Sequence, residues 1–279
     1  MTLKFDKMHA LGNDFVIIDQ NQLPNKRFSD EAFFARLCDR HYGIGGDLLV
    51  LYELHDNDVL EAKFFNPDGG EAEICGNAVR CLGFLMRKRG GLSRCILKTK
   101  AKTYPILMMD NEISVDMGPV SLDPQDIGLS NKNLNPLSII DELNLPNDLH
   151  VRAAYCVAVG NPHLILFLEE SLDEKRMTFF GAMLENHSLF RNKINVSFGF
   201  IKSENEITLS VFERGAGLTF ACGSGACASA AVAHISGLIK SKNILVRQKG
   251  GSLKIFIRED GNIFQTGPAS YVFSGEIEV

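Results

Sequence analysis

The stretch 211–230, VFERGAGLTFACGSGACASA, decides the reading of the whole chain. It starts as a strand, passes through a glycine-rich turn and reaches Cys222, which is followed by Gly223, Ser224, Gly225 and a run of small residues. That run reads as a helix, and Cys222 stands at its mouth. The first amides of a helix have no partner inside it, so they point outward. They attract anions and favour thiolate over thiol. The stretch therefore reads as a cysteine poised for chemistry beside an anion cradle.

The arrangement occurs once more, at 64–83, FFNPDGGEAEICGNAVRCLG. Cys75 follows Asn66 by the interval at which Cys222 follows Glu213, and Gly70 and Gly76 match Gly217 and Gly223. The two cysteines are 147 positions apart. A second pair, Gly12-Asn13-Asp14-Phe15 and Gly160-Asn161-Pro162-His163, repeats at 148. Two similarities at nearly one offset indicate an internal duplication. Two such halves facing each other would put two helix mouths and two cysteines across one cleft.

The chain has 279 residues, 45% hydrophobic and 23% charged, an ordinary globular composition with ample core. Its net charge of −5 gives no sign of a nucleic-acid surface. Charges in MTLKFDKMHA stand where a signal peptide needs an apolar run. The small apolar stretch 220–239 is interrupted by Ser224, Ser229, His234 and Ser236, and fits a buried central helix better than a membrane span. Seven cysteines, an odd number in a chain too long to need staples, point to a reducing cytoplasm.

Taken in order, 15–18 reads as a buried strand after the Gly12-Asn13 turn. Residues 29–41 read as a helix capped by Ser29 and ended near Gly43. Strands are expected at 48–54 and 62–65, the first cysteine helix at 76–89, and a meander at 94–99, 104–109 and 113–117. Four of the nine prolines (119, 124, 136 and 146) then fall in 119–146, which places a domain boundary at its start. A second cycle follows: strands at 151–159 and 164–168, a helix at 172–184 weakened by Gly181, strands at 195–201 and 206–212, and the second cysteine helix. Strands at 243–247, 252–259 and 262–265 come next, the last two flanking the hairpin signal Asp260-Gly261. The tail at 271–279 is strand-like and is expected to cross back to the first half. The fold class is α+β: two pseudo-symmetric lobes, 1–118 and 119–265, with 266–279 returning to the first. Each is a curved mixed or antiparallel sheet around a central helix, with the site in the cleft.

Inverting a carbon centre needs a base on one face and an acid on the other, because a single group tends to return the proton to the face it left. Cys75 and Cys222 meet that need without a cofactor, one as thiolate and one as thiol, titrating as a coupled pair. A free thiol has a pKa of about 8.5, and a helix start contributes at most ~2 kcal/mol, or about 1.5 pKa units. A further base would help, and His163 and Glu213, both in duplicated motifs, are the candidates.

At these residues the sequence resembles the diaminopimelate epimerases. The resemblance runs through KMHALGNDF, GIGGD at 43–47, FFNPDGGEAEICGNAVRC, GNPH at 160–163, NVSF at 195–198 and ERGAGLTFACGSGAC. It implies a two-lobed, cofactor-independent (PLP-independent) cytoplasmic epimerase, a homodimer, that interconverts LL- and meso-2,6-diaminopimelate for lysine and peptidoglycan synthesis. Carried over by position, Cys75 and Cys222 are the acid–base pair, and His163 and Glu213 adjust their pKa values. Asn13, Asn66, Asn77, Asn161, Asn195, Glu213 and Arg214 contact substrate, and the amides of Gly76, Asn77, Gly223 and Ser224 cradle the α-carboxylate. The resemblance implies no metal, nucleic acid or membrane. The chain departs from it at Leu48, where some members carry a substrate-contacting Gln, at Phe220 and at Ala10.

Cys38, Cys81, Cys95, Cys156 and Cys227 read as buried core residues. A metal site from Cys75, Cys81, Cys222 and Cys227 lacks the paired two-residue spacing usual for zinc. GSGAC lacks the Gly-Lys-Ser/Thr ending of a phosphate loop. The competing functions are a two-cysteine racemase acting on proline or hydroxyproline, whose monocarboxylate substrate would leave Arg214 no distal partner, and a thiol-redox or metal-binding protein.

Overall fold

The computed structural model of the chain describes residues 2–23, 30–72, 74–100 and 102–278. Its contacts divide into two units, one running to Asp116 and resuming at Thr266, the other Met117–Gln265. The division falls two residues before the Pro119 expected from composition. Met117 donates its amide to Ile263 O and Gly118 accepts from Ile263 N, at 2.8 and 3.0 Å, so both residues belong with the second unit.

The first unit opens with β1 (Thr2–Ala10) and β2 (Asn13–Asp19), an antiparallel hairpin. Sequence reading left β1 unassigned, although Leu3, Phe5 and Met8 bury their side chains. The two turn residues, Leu11 and Gly12, both have positive φ (56° and 86°), the geometry that matches strand twist in a tight hairpin. Leucine there costs ~1–2 kcal/mol. Next come α1 (Glu31–Cys38), β3 (Leu48–His55), β4 (Val59–Phe65) and the two-residue β5 (Glu71–Ala72). The helix α2 (Gly76–Gly90) follows, then β6 (Arg94–Lys98), β7 (Thr103–Met108) and β8 (Ile113–Asp116).

The α1 helix is shorter than its expected 29–41. Asp30 caps it, accepting from Phe33 N at 2.7 Å, and Ser29 lies outside the described residues. Asp39 takes an extended backbone and ends it well before Gly43. The end of α2 is as expected: Gly91 sits at φ 67° and closes the helix through its amide to Arg87 O, beside the basic run Arg87-Lys88-Arg89.

The second unit contains α3 (Pro124–Ile127), β9 (Val151–Val159), β10 (Asn161–Leu168), α4 (Glu174–Glu185), β11 (Asn195–Ser203), β12 (Glu206–Glu213) and β13 (Gly217–Leu218). Then come α5 (Gly223–Ile235), β14 (Asn243–Gln248), β15 (Gly251–Ile257) and β16 (Ile263–Gly267), whose last two residues already count with the first unit. The final strand, β17 (Ser270–Glu278), pairs antiparallel with β1 along its whole length. That supplies the partner the tail lacked in the sequence.

The duplication is written in the strand pairings. In the first unit β2 runs parallel to β3 with Phe15 opposite Leu48, and β3 antiparallel to β4 with Leu49 opposite Phe65. Strand β4 pairs with β5, and parallel with β6. In the second unit β10 runs parallel to β11 with His163 opposite Asn195, and β11 antiparallel to β12 with Val196 opposite Phe212. Strand β12 pairs with β13, and parallel with β14. The registers match at the offset read from the motifs.

Each unit wraps strands around its long helix. Helix α2 packs on β1, β6, β7, β8 and β17, and α5 on β9, β10, β11, β12, β14 and β15. Every residue of α5 from Gly223 to Ala233 is buried, which is why it is small and apolar on all sides. Among the described residues no helix is long and apolar enough to cross a membrane.

The glycine in α4 has a packing reason. A Cβ on Gly181 would lie 2.5–2.7 Å from the side chain of Phe212, the residue just before Glu213. Alanine gains helix propensity of up to ~1 kcal/mol but overpacks this contact, which costs ~1–3 kcal/mol. We expect Gly181→Ala to lower stability in urea unfolding by ~1–2 kcal/mol. A gain in stability would show that Phe212 moves aside freely.

Candidate active site

Both cysteines occupy the N-cap position of the buried helix of their own unit. Cys75 precedes α2 at φ −110°, ψ 110°, and Cys222 precedes α5 at φ −120°, ψ 115°. The carbonyl of each starts its helix, receiving Val79 N at 3.0 Å and Ala226 N at 3.1 Å. This extended cap geometry turns the side chain toward the free first-turn amides. At Cys222 the result is explicit: Sγ accepts from Gly225 N at 3.4 Å. A Cβ on Gly225 would sit 3.3 Å from that sulfur and 3.0 Å from Val211, so glycine leaves the sulfur its room.

A chain of side chains runs from Cys222. Its Sγ lies 3.5 Å from Ser224 Oγ, and Ser224 Oγ lies 3.0 Å from His163 Nε2. The same ring nitrogen is 2.9 Å from Asn161 Oδ1. His163 is fully buried, and its Nδ1 has no partner among the described residues. Burial, and then the charge of Arg214, push its pKa down to about 3, so the imidazole is neutral at physiological pH. The backbone N–H of Cys222 donates to Gln248 Oε1 at 2.7 Å.

The Glu213–Arg214 turn is held from three sides. Asn195 donates Nδ2 to Pro162 O and accepts Arg214 N on Oδ1, both at 2.8 Å, and so ties the turn to the start of β10 just before His163. Gly215 N donates to the buried Glu185 at 2.8 Å. Thr219 donates its hydroxyl to Glu213 Oε1 at 2.5 Å, and Arg214 Nη1 reaches Asn192 O at 3.3 Å.

In the first unit Asn77 is buried in the opening turn of α2, and its Oδ1 accepts from the fully buried Arg80 at 2.8 Å. Asn66 is exposed and closes the β4–β5 turn, its amide on Gly70 O and its carbonyl on Gly69 N, both at 2.9 Å. Asn13 turns a buried Oδ1 that has no partner among the described residues. Next to it Asp14 carries a charge network. It accepts from Arg40 at 2.6 and 3.1 Å and from Lys7, while Asp47 accepts from Arg40 at 2.7 Å and from Asp14 N at 3.0 Å. The GIGGD segment is thus a turn that delivers Asp47 to this network, with Lys7 also bonded to Gly45 O. Leu48 is buried immediately after it.

Burial acts to raise the Asp14 carboxyl, but the hydrogen bonds from Arg40 and Lys7 outweigh it and hold the group well below the usual range. A depressed carboxylate stabilises the fold above its unfolded pKa of about 3.9, and that contribution fades as pH falls toward the native value. The side chain of Asp14 is 19% exposed and that of Arg40 55%, so screening reduces the gain. We expect Asp14→Asn to cost ~2 kcal/mol at pH 7 in denaturant titrations, with the gap narrowing below about pH 4. A gap independent of pH would sink the ionic account.

Sequence reading did not find Gln248, Glu185 or Thr219, nor the role of the Ser224 hydroxyl. Gln248 and Glu185 carry no local signal and reach the site only through strand pairing or helix packing. Cys38, Cys81, Cys95, Cys156 and Cys227 are buried, as expected of core thiols, and burial pushes the Cys38 thiol up to about 11 and Cys95 to about 12. A surface depression of about 570 Å3 at the β3–β4 turn, lined by His55, Glu61 and Lys98 among others, contains none of the residues described above.

The sequence profile described as Diaminopimelate epimerase matches residues 5–122 and, again, 155–272. The chain belongs to the diaminopimelate epimerase family. The two matches fall one in each half, as the duplication requires. The chain is 45% identical over 278 residues to the Diaminopimelate epimerase of Gluconobacter oxydans (strain 621H), covering 99% of both. It is 36% identical to that of Halothermothrix orenii (strain H 168), covering 100% of this chain and 99% of the other. Among solved structures it is similar to a hydroxyproline epimerase from Agrobacterium vitis, with a TM-score of 0.69 at 11% identity, covering 99% of this chain and 92% of that one. That likeness shows the epimerase fold is shared well beyond recognisable sequence. The chain is an isomerase of the diaminopimelate epimerase family, α+β with two repeated domains.

Proposed function

We propose that this chain interconverts LL- and meso-2,6-diaminopimelate by two-base proton transfer at the α-carbon, without a cofactor, in the synthesis of lysine and peptidoglycan precursors. One observation carries the reading: two cysteines at equivalent caps of two buried helices, at equivalent positions of a duplicated fold. One sulfur, as thiolate, removes the α-proton while the other, as thiol, delivers a proton to the opposite face. The roles exchange with the direction of reaction.

The rest of the site suits a zwitterionic diamino diacid. The first-turn amides, of Gly76 and Asn77 and of Gly223 and Ser224, provide for the α-carboxylate. The Oδ1 of Asn13, without a partner among the described residues, suits an ammonium group, as do the side-chain amide oxygens of Asn66 and Asn161. Arg214 suits the distal carboxylate. Asn195 serves by fixing the Arg214 turn, and Glu213 by presenting a carboxylate beside it. Free thiols throughout fit a cytoplasmic enzyme. A homodimer, and the absence of a nucleic-acid partner, are carried over from the family.

The test is proton exchange in D2O under reductant, with LL- and meso-diaminopimelate, following the α-proton by NMR and the stereochemistry of the product. Deuterium entering the α-position as the isomers interconvert is expected. A folded, reduced protein that exchanges neither isomer would overturn the assignment, and proline-type substrates would be tried next.

A further inference from the structure

We propose that the Ser224 hydroxyl links His163 to Cys222, so that the histidine serves the cysteine as a hydrogen-bond donor rather than as a base. The inference rests on Cys222 acting as an acid–base group. It assigns Ser224 a positioning role through its side chain, separate from the backbone amide offered to the carboxylate.

The geometry fixes the direction of the chain. Asn161 presents Oδ1, which only accepts, to His163 Nε2 at 2.9 Å. The ring nitrogen there must carry the proton. Ser224 Oγ, 3.0 Å from the same nitrogen, then shares that N–H as a second acceptor. Its own hydroxyl proton is left for the sulfur 3.5 Å away. The order is Nε2–H to Oγ, then Oγ–H to Sγ. With Nε2 protonated in the neutral ring, Nδ1 is a bare lone pair, as suits a buried atom with no donor among the described residues. A histidine drawing a proton from the thiol would need Nε2 bare, its lone pair aimed at the Asn161 oxygen. Burial also keeps the ring from charging, since His163 titrates near 3.

The sulfur then has Gly225 N at 3.4 Å and Ser224 Oγ among its donors. Both favour the thiolate. Among the described residues, these titratable and charged groups belong to the elements around the start of α5. His163 comes from β10, Glu213 and Arg214 from the end of β12, and Lys249 from just past β14. Arg152 on β9, Lys202 on β11, Arg247 on β14 and Lys254 on β15 are exposed. A thiolate here therefore depends on hydrogen bonds to a degree that a thiol beside a charged histidine would not.

The test reads Cys222 alone. In full-length protein carrying Cys75→Ser, the rate of Cys222 alkylation by iodoacetamide is followed against pH by peptide mass. Adding Ser224→Ala is expected to raise the Cys222 thiol pKa by about one unit, the effect of one hydrogen bond to a charged group. Adding His163→Phe should raise it less, and in the Ser224→Ala background it should add nothing, because the histidine acts through the serine. An unchanged pKa in Ser224→Ala, or shifts that add, would overturn the link. Should His163→Phe not fold, 15N NMR of His163 in the native protein decides. The neutral Nε2–H tautomer is expected from about pH 5 to about pH 9. An Nδ1–H tautomer, or a titration in that range, would overturn the link. Neither readout needs turnover, so failure of the proposed substrate and failure of the link are told apart.

Discussion

Replacing either cap cysteine by serine is expected to lower kcat/KM for diaminopimelate by roughly a hundred- to ten-thousand-fold, the usual worth of a positioned acid or base, equal to ~3–5 kcal/mol at the transition state. Serine is a preferred N-cap residue, so Cys75→Ser and Cys222→Ser should fold and keep their helix starts. The loss is then chemical and can be separated from stability by circular dichroism. The two variants should also differ in a diagnostic way. On the proposed two-base mechanism, each keeps the thiolate that would face one of the two isomers. In D2O, each should wash deuterium into that isomer faster than it inverts it, because the acid on the opposite face is gone. Cys75→Ser and Cys222→Ser should favour opposite isomers, which assigns the faces. If one variant retains near-normal inversion of both isomers, that cysteine is not one of the two bases.

Much of this site was legible because the chemistry and the backbone signal coincide. A glycine-flanked cysteine before a small-residue run specifies a helix start, and both copies fold as caps with almost the same φ and ψ. The duplication, read from two short motifs, reappears as matching registers, Leu49 opposite Phe65 in one unit and Val196 opposite Phe212 in the other. Both signals are local, or repeat at a fixed distance, and so survive in one dimension.

The rest depends on contacts that no spacing announces. Strand β1 carries charges at Lys4, Asp6 and Lys7 that mask its alternation, and its partner β17 lies at the other end of the chain. The short strands β5 and β13 are pairings of two residues each, below what a pattern can mark. Helix α1 was drawn too long because Asp39 caps its C-terminal side with an extended backbone, where the pattern pointed to Gly43. Gln248 reaches the Cys222 amide only because β14 runs parallel to β12 and ends beside the mouth of α5. Glu185 reads as the last residue of a surface helix, yet it is buried and holds the turn after Arg214. The two cap cysteines and Asn195 stand in motifs the sequence marks; Gln248, Glu185 and Thr219, which hold the segments around them, do not.

Arg214→Ala is expected to cost ~3 kcal/mol at the transition state, or roughly 150-fold in kcat/KM for diaminopimelate, the worth of charged hydrogen bonds to a carboxylate. The loss should fall chiefly on substrate, because the turn is anchored through its backbone. Arg214 N is held by Asn195 Oδ1 and Gly215 N by Glu185 Oε1, and both bonds survive loss of the side chain. Among what the side chain gives up within the fold is a 3.3 Å bond to Asn192 O. The nearby His163 also loses a positive neighbour, so its pKa should rise, but burial is the larger cause of its depression and the ring should stay neutral at pH 7. A change in the cysteine's proton chemistry is therefore not expected. The clean signature is a large defect with the dicarboxylate, partial recovery in Arg214→Lys, which restores charge without the planar fork, and an unchanged pH profile. Near-normal kinetics in Arg214→Ala would mean that no distal carboxylate meets this residue, and would shift the assignment toward a monocarboxylate such as proline.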